Sequence, residues 1–275
     1  IEINRWEATN GQSPEILKDW TEYMESTWSN LDESLGRKSI DKPGAWGYLL
    51  TMRSIFQDAL ENGFESIAVF DDDFILSKSF DHGFSKMVEI LGDNWDVIYL
   101  GASQWLWGDL PPEDAPFYKP DENTNGSFAV IYKRSVFQDL LGKIDEMSAP
   151  FDAGPLREVV LGKSSGKSFV ALPNLVIANL EKTGIRDSRN QIEFSKRFGW
   201  ELDSFPSCFT SWSPSPSVLR ETNCVENNPQ LNFITAVTTV NRMEYLQQFI
   251  SDWNETKSPN AETTLVVADD GSSDG

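Results

Sequence analysis

Cysteine and histidine are almost missing: the chain holds Cys208, Cys224 and a single histidine, His82. The two cysteines make no metal or redox motif, and two in 275 residues make no disulfide framework. Two free thiols in a reducing compartment is one reading of the pair; a local bridge between them is the other. His82 reads as a surface residue. Basic residues are also few, with 23 Lys and Arg against 43 Asp and Glu, a formal net charge of −20. Such a surface argues against nucleic acid as a partner, because phosphate contacts need Lys and Arg patches. It argues equally against docking on anionic lipid. It leaves a phosphorylated substrate open, since a bound divalent cation reverses the local sign. No apolar run approaches the roughly 18 residues of a transmembrane segment, and no secretory signal pattern is visible from Ile1 onward.

What is present is a globular composition, 39% hydrophobic, long enough for one large domain or two modest ones. Ser13 and Pro14 form an N-cap and N1 pair before a helical pattern. The stretch "GAWGYLLTMRSIFQDALENG" places Leu49, Met52, Ile55, Phe56, Ala59 and Leu60 on one helix face and stops at Gly63. "ESIAVF" reads as a buried strand, "FDHGFSKMVEILGD" as a helix and "WDVIYLG" as a strand. "GSFAVIYKR" is another strand, followed by the helix "SVFQDLLGKIDEM" and a short helix in "FDAGPLREVVLG" that begins at Asp152. "KSFVALPNLVIAN" holds one or two strands interrupted at Pro173, and "SRNQIEFSKRFGW" a polar-faced helix. Strands alternate with helices, so the fold class is α/β.

From about residue 201 to 230 the text turns rich in Ser, Pro and Asn and loses its period, as in a linker or irregular crossover. Beyond it "LNFITAVTTV" is a strand, "NRMEYLQQFISDWNET" a helix and "TTLVVADDGSSDG" a strand ending in acid and glycine. This is a partial second βαβ unit, and the expected division is 1–200, 201–230 and 231–275.

Asp71, Asp72 and Asp73 follow the "ESIAVF" strand directly. In an extended segment Asp71 and Asp73 share a face and Asp72 takes the other. Two carboxylates on one side make a hard oxygen site for Mg2+ or Mn2+, which also takes substrate phosphate oxygens. The carboxyl end of a strand is where ligands bind in open α/β sheets. A solvated acidic turn, or a cap for the following helix, is the competing reading. Nucleotidyl transferases, phosphatases and sugar transferases all use such carboxylate pairs.

The segment "KPGAWGYLLTMRSIFQDALENGFESIAVFDDDFILSKSF" resembles glycosyltransferase family 25, which includes lipopolysaccharide and collagen galactosyltransferases. The family pattern is a glycine-bounded helix start, here Gly44, Gly47, Tyr48, Thr51 and Met52, then an apolar strand ending in acids. "INRWEATNG", "WDVIYLG", "TNGSFAVIYKRSVFQDLL" and "PFDAGPL" resemble further family segments in the right order over about residues 3 to 200. Thr51 and Met52 stand where the family has Ser-His, a departure that removes a polar pair near the donor. The family's first strand is expected before residue 1 or is absent. The tail resembles the opening of a family 2 glycosyltransferase. Thr239, Asn241 and Arg242 match its first motif, and Asp269 and Asp270, with Gly271 and Ser272, match its second. The resemblance gives those residues a nucleoside-binding role.

These resemblances imply a GT-A-like sheet and an inverting, metal-dependent hexosyl transfer, with galactose the habitual sugar. The donor is a UDP-sugar and the acceptor a saccharide or glycolipid of surface polysaccharide or lipopolysaccharide. Asp71 and Asp73 hold Mn2+ or Mg2+, and Asp72 orients a donor hydroxyl or a metal-bound water. Asp152, in the segment matching the family's "P-x-D", is the candidate base; a helix cap is its plainer role. Gly44, Gly47, Thr51, Asn125 and Ser127 are the expected donor-binding residues. Asn125 and Ser127 also border the acceptor side, and Asn125 equally suits a turn cap. Trp105 and Trp107 suit stacking on a sugar or simple core packing. The expected location is cytoplasmic, with any attachment to the inner membrane face made by parts outside these residues. A non-catalytic sugar-binding or scaffolding module is the alternative, motivated by Thr51 and Met52. A nucleotidyl transferase would need a Gly-rich phosphate loop near a strand, and none is seen.

Overall fold

The strand expected at "ESIAVF" forms, and its side chains alternate between two separate cores. Ile67 and Val69 pack on one side, Ala68 and Phe70 on the other, and all four are buried. A strand buried on both faces reads as a near-continuous apolar run, as this one does. The structure is a computed structural model that describes residues 3–4, 6–108, 111–112, 115–180, 189–205, 233–239 and 263–269. Its first half contains β1 (Ile3–Asn4), α1 (Pro14–Glu25), α2 (Asn30–Leu35), α3 (Pro43–Glu61), β2 (Ser66–Asp71), β3 (Phe74–Leu76), α4 (Phe80–Leu91), β4 (Val97–Tyr99), β5 (Ser103–Gln104), β6 (Phe117–Tyr118), β7 (Thr124–Asn125) and β8 (Ala129–Lys133). Then come α5 (Arg134–Asp145), α6 (Pro155–Leu161), β9 (Ser168–Ala171), β10 (Val176–Ala178), α7 (Gln191–Phe198), β11 (Phe233–Thr239) and β12 (Thr263–Asp269).

The chain is thus mixed α/β. The main sheet has eight strands in the order β1-β12-β11-β2-β8-β4-β9-β6. β8 runs antiparallel to both β2 and β4, and β4 pairs in parallel with β9. Two short antiparallel pairs, β3 with β10 and β5 with β7, sit apart from it.

Helices cover both faces. α3, α5 and α6 pack against Ile67, Val69, Val97, Val130 and Val170 through Met52, Phe56, Phe137, Leu140, Leu156 and Val160. α4 and the end of α7 cover the other face with Met87, Leu91 and Phe198, joined by Trp200. The face predicted for α3 is the face it buries, and Pro43 occupies its first turn as proline favours.

β11 and β12, expected to open a second unit, pair in parallel with each other, and β11 pairs in parallel with β2. The physical reason is that β2 otherwise has one neighbour, β8, and its other edge would be unpaired. Of the expected linker at 201–230, residues 206–230 lie outside the described residues, as do the expected helix at 241–256, Cys208 and Cys224. Two corrections concern helix starts. α2 was not expected, because six residues show no period. α6 begins at Pro155 with Gly154 as its N-cap, so Asp152 does not cap it.

α2 is held by a buried knot. Ser29 accepts from the Asp32 backbone N–H, and the Asp32 carboxylate accepts from the Ser29 N–H at 2.9 Å, a capping box. The same carboxylate accepts from the Ser39 N–H at 2.8 Å and lies 3.4 Å from the Lys38 ammonium. Lys38 also donates to Ser26 Oγ and the Thr27 carbonyl, both at 3.0 Å. Burial pushes the Asp32 pKa up, but the Ser29 and Ser39 backbone N–H groups, the Ser29 side chain and Lys38 outweigh it and hold it at about 2.

Lys38→Met leaves this carboxylate buried without its cation and is expected to cost about 3–5 kcal/mol in urea unfolding. Because the folded pKa lies below the ordinary 3.8, Asp32 contributes stability that is full above about pH 4–5 and is lost as pH falls through about 2. The stability gap between the native chain and Asp32→Asn therefore narrows over that window.

Candidate functional site

The strand period carries one step further to Asp71, which must point to the α3 side with Ile67 and Val69. It does: the Tyr48 hydroxyl, from α3, donates to Asp71 Oδ1 at 2.9 Å. Tyr48 Oη also lies 3.0 Å from Ser127 Oγ. A phenol has one proton, so with Tyr48 donating to Asp71, Ser127 donates to Tyr48. Burial and then the Asp71 charge push the Tyr48 pKa well up, so the hydroxyl remains a donor. The Asp71 N–H is bound by the Phe128 carbonyl at 2.9 Å.

Beyond Asp71 the backbone stops being extended. Residues 72 and 73 form a turn into β3, so alternation does not carry Asp73 to the face of Asp71. The turn is pinned by the Asn179 N–H, which donates to the Asp73 carbonyl at 2.7 Å. All three aspartates are half-buried and each is engaged by neighbours.

Asp152 reaches the same place from another direction. Phe151 is buried against Phe56, Tyr132 and Tyr48, with ring centroids 6.2, 6.4 and 6.0 Å away, and this anchors the next residue. Asp152 Oδ2 then accepts from the Gly126 N–H at 3.1 Å. Gly126 has φ +98, and a Cβ there would meet the Phe128 ring at 2.8 Å, so both the backbone and the space require glycine. On its other side, Asn125 accepts from Arg157 of α6 through Oδ1. Residues 125–127 are thus gripped from three directions: Asn125 by Arg157, Gly126 by Asp152, and Ser127 by the Tyr48 that holds Asp71.

Gly47 and Thr51, expected at the donor, and Met52, which stands where the family has histidine, lie on α3. Thr51 is buried; its hydroxyl accepts from the Thr9 N–H and donates to the Gly47 carbonyl, both at 2.9 Å. A Cβ at Gly47 would come within 2.7 Å of the Thr9 carbonyl. Gly47 and Thr51 therefore hold the Thr9–Gly11 segment against α3, and Gly44 also borders Gly11. Met52 is a fully buried core residue. Trp105 and Trp107 are half-buried and taken up by neighbours: Trp105 by Phe198 at 5.0 Å and by the Arg197 guanidinium at 4.5 Å, Trp107 by Tyr118 at 5.2 Å. His82 is exposed, as expected.

The strands of the tail bring a second acid to the same edge. In register, Thr238 stands beside Asp71 and Thr239 beside Asp269. Two strand spacings put the backbones of Asp71 and Asp269 about 10 Å apart. Asn241, Arg242 and Asp270 lie outside the described residues. Among the described residues no three His, Cys, Asp or Glu side chains converge as a ready-made metal cage, and no helix is long and apolar enough to cross a membrane.

Sequence reasoning overlooked the roles of Tyr48, Tyr99, Tyr132 and Arg157. Tyr99 and Tyr132 are buried on the α3 side of the sheet. Burial pushes both hydroxyls up in pKa; Asp152 adds to the rise at Tyr99, and Tyr99, Asp71 and Asp152 add to it at Tyr132. For Tyr99 and Tyr132 the available signal was a phenol on the strand face shared with Val97 and Val130.

Tyr48→Phe removes a hydrogen bond to a charged group and is expected to cost about 1.5–3 kcal/mol in urea unfolding while the fold is kept. Gly126→Ala combines an unfavourable φ with a ring clash and is expected to cost about 1–3 kcal/mol by the same measurement. Compared with protein-family models and with curated proteins, the chain matches none.

Proposed function

We propose that this chain is a metal-dependent glycosyltransferase with a GT-A-like sheet. It moves a hexose, galactose by preference, from a UDP-sugar to a saccharide or glycolipid acceptor in surface polysaccharide synthesis. The observation that supports this reading is the meeting of two sequence-distant acids, Asp71 and Asp152, on one side of the sheet. They are linked through Asn125, Gly126 and Ser127.

The donor set suits a hard cation: carboxylate oxygens at a half-buried turn after a strand. Asp71 and Asp73 are the residues that would hold Mn2+ or Mg2+, and Asp72 would orient a donor hydroxyl. Bound there, the ion supplies Lewis-acid stabilisation of a departing diphosphate. Tyr48 fixes the Asp71 carboxylate in one rotamer by its hydrogen bond. In the transfer, the acceptor oxygen forms a bond to the anomeric carbon as the bond to the diphosphate oxygen breaks, with inversion through an oxocarbenium-like transition state. Asp152 takes the acceptor hydroxyl proton, and its carboxylate is oriented through Oδ2 by the Gly126 N–H. Gly47 and Thr51 serve the donor side indirectly, by holding Thr9–Gly11.

The alternative of a non-catalytic sugar-binding module draws on Met52, whose burial leaves no polar group where the family has histidine. A panel of nucleotide sugars with Mn2+, read by release of free nucleotide, separates the two. The transferase reading expects release from a UDP-sugar that falls by more than about 100-fold in Asp71→Ala and Asp73→Ala, and by roughly 10²–10⁴-fold in Asp152→Asn. It fails if no nucleotide sugar is turned over and the aspartate variants bind ligand as the native chain does.

A further inference from the structure

Among the described residues Arg157 is a cation without an anion. Its Nη2 donates to the neutral Asn125 Oδ1, and its Nε is buried with no partner. Among the described residues no carboxylate forms an ion pair with it, although the chain has 43 acids to 23 bases. Glu158, the next residue, pairs with Lys143 instead, and Asp152, five residues back, does not pair with Arg157 either. Asp152 accepts from Gly126 instead, while the buried Tyr99 hydroxyl feels both charges with opposite sign. A second orphan lies in the same region. Tyr132 is fully buried, its hydroxyl has no partner, and it feels the charges of Asp71 and Asp152.

Burying a donor without an acceptor is costly; Arg157 is half-buried, and it is the Nε that is fully enclosed without a partner. An unsatisfied buried donor in a native fold calls for an explanation, and an acceptor that arrives with a ligand is one. The guanidinium fork has five N–H donors in one plane and matches the paired oxygens of phosphate or carboxylate. Asn125 occupies only one of the five.

We propose that Arg157 is the seat of a ligand oxyanion, a phosphate or carboxylate group bound through its Nε–H and the adjacent N–H of the fork. Asn125 holds the fork in place. This names ligand chemistry for the site described above, and it rests on that reading only in placing the ligand on this face. It does not require transfer to occur. The oxyanion belongs either to the diphosphate of a donor or to an acidic sugar acceptor.

Calorimetric titration of the full chain with pyrophosphate, with UDP plus Mn2+, and with glucuronate tests it in the native protein, Arg157→Met and Arg157→Lys. At least one probe is expected to bind, and to lose about tenfold or more in affinity in both variants, because lysine keeps the charge but not the fork. Loss for pyrophosphate or UDP assigns the seat to the donor; loss for glucuronate alone assigns it to an acidic acceptor. Without ligand, Arg157→Met is expected to melt no lower than the native chain, since an unpaired charge is removed. If Arg157→Met does not fold, Arg157→Lys carries the comparison. The proposal is overturned if no probe binds the native chain, or if the variants that fold bind as the native chain does. Arg157-dependent binding without turnover of any nucleotide sugar sinks the transferase reading and leaves the oxyanion seat standing.

Discussion

Burial of the sheet on both faces leaves little freedom in where its strand ends point. Along β2 the side chains divide between two helix layers, and a slip of one residue would exchange them. Asp71 inherits the side of Ile67 and Val69, Tyr99 the side of Val97, and Tyr132 the side of Val130. Three polar groups from three adjacent strands are thereby delivered to the layer of α3, α5 and α6. Their placement on one face needs no special loop. It follows from the period of two and from strands kept in register by packing on both sides.

The acids from outside the sheet depend on that arrangement. Phe151 finds its place because Phe56 and Tyr132 are already packed, and Asp152 follows by covalent connection. The short segment Asn125–Ser127 then becomes the common partner of Arg157, Asp152 and Tyr48. The segment can serve all three only because glycine at position 126 accepts a backbone conformation that other residues resist. The polar site is fixed by few bonds, each to a different element. The buried Tyr132 hydroxyl and Arg157 Nε remain as donors that the fold itself does not satisfy.

Much of the architecture was legible because its causes are local. The apolar stripe of α3, the β2 run, the break at Pro173 and the stop near Gly63 all rest on periods and turn chemistry within a few residues. What misled the reading was also local. Extending the strand through Asp73 ignored the turn that β3 requires in order to pair with β10. Starting a helix at Asp152 followed cap chemistry, whereas Gly154 and Pro155 set the actual start. The short α2 shows no period, yet Ser29 and Asp32 spelled its capping box.

The amino-acid sequence settles that strands alternate with helices, that acids follow β2, and that Asp71 shares a face with Ile67 and Val69. These are consequences of chain geometry over distances of a few residues. That Tyr48 holds Asp71, that Asp152 is bound to Gly126, and that Arg157 donates to Asn125 are settled by folding alone. Each joins residues 23, 26 or 32 positions apart, and pairing at that range is chosen by packing and loop closure, which no local pattern records. The same holds for β11, whose parallel seat beside β2 comes from an unpaired strand edge far away in sequence.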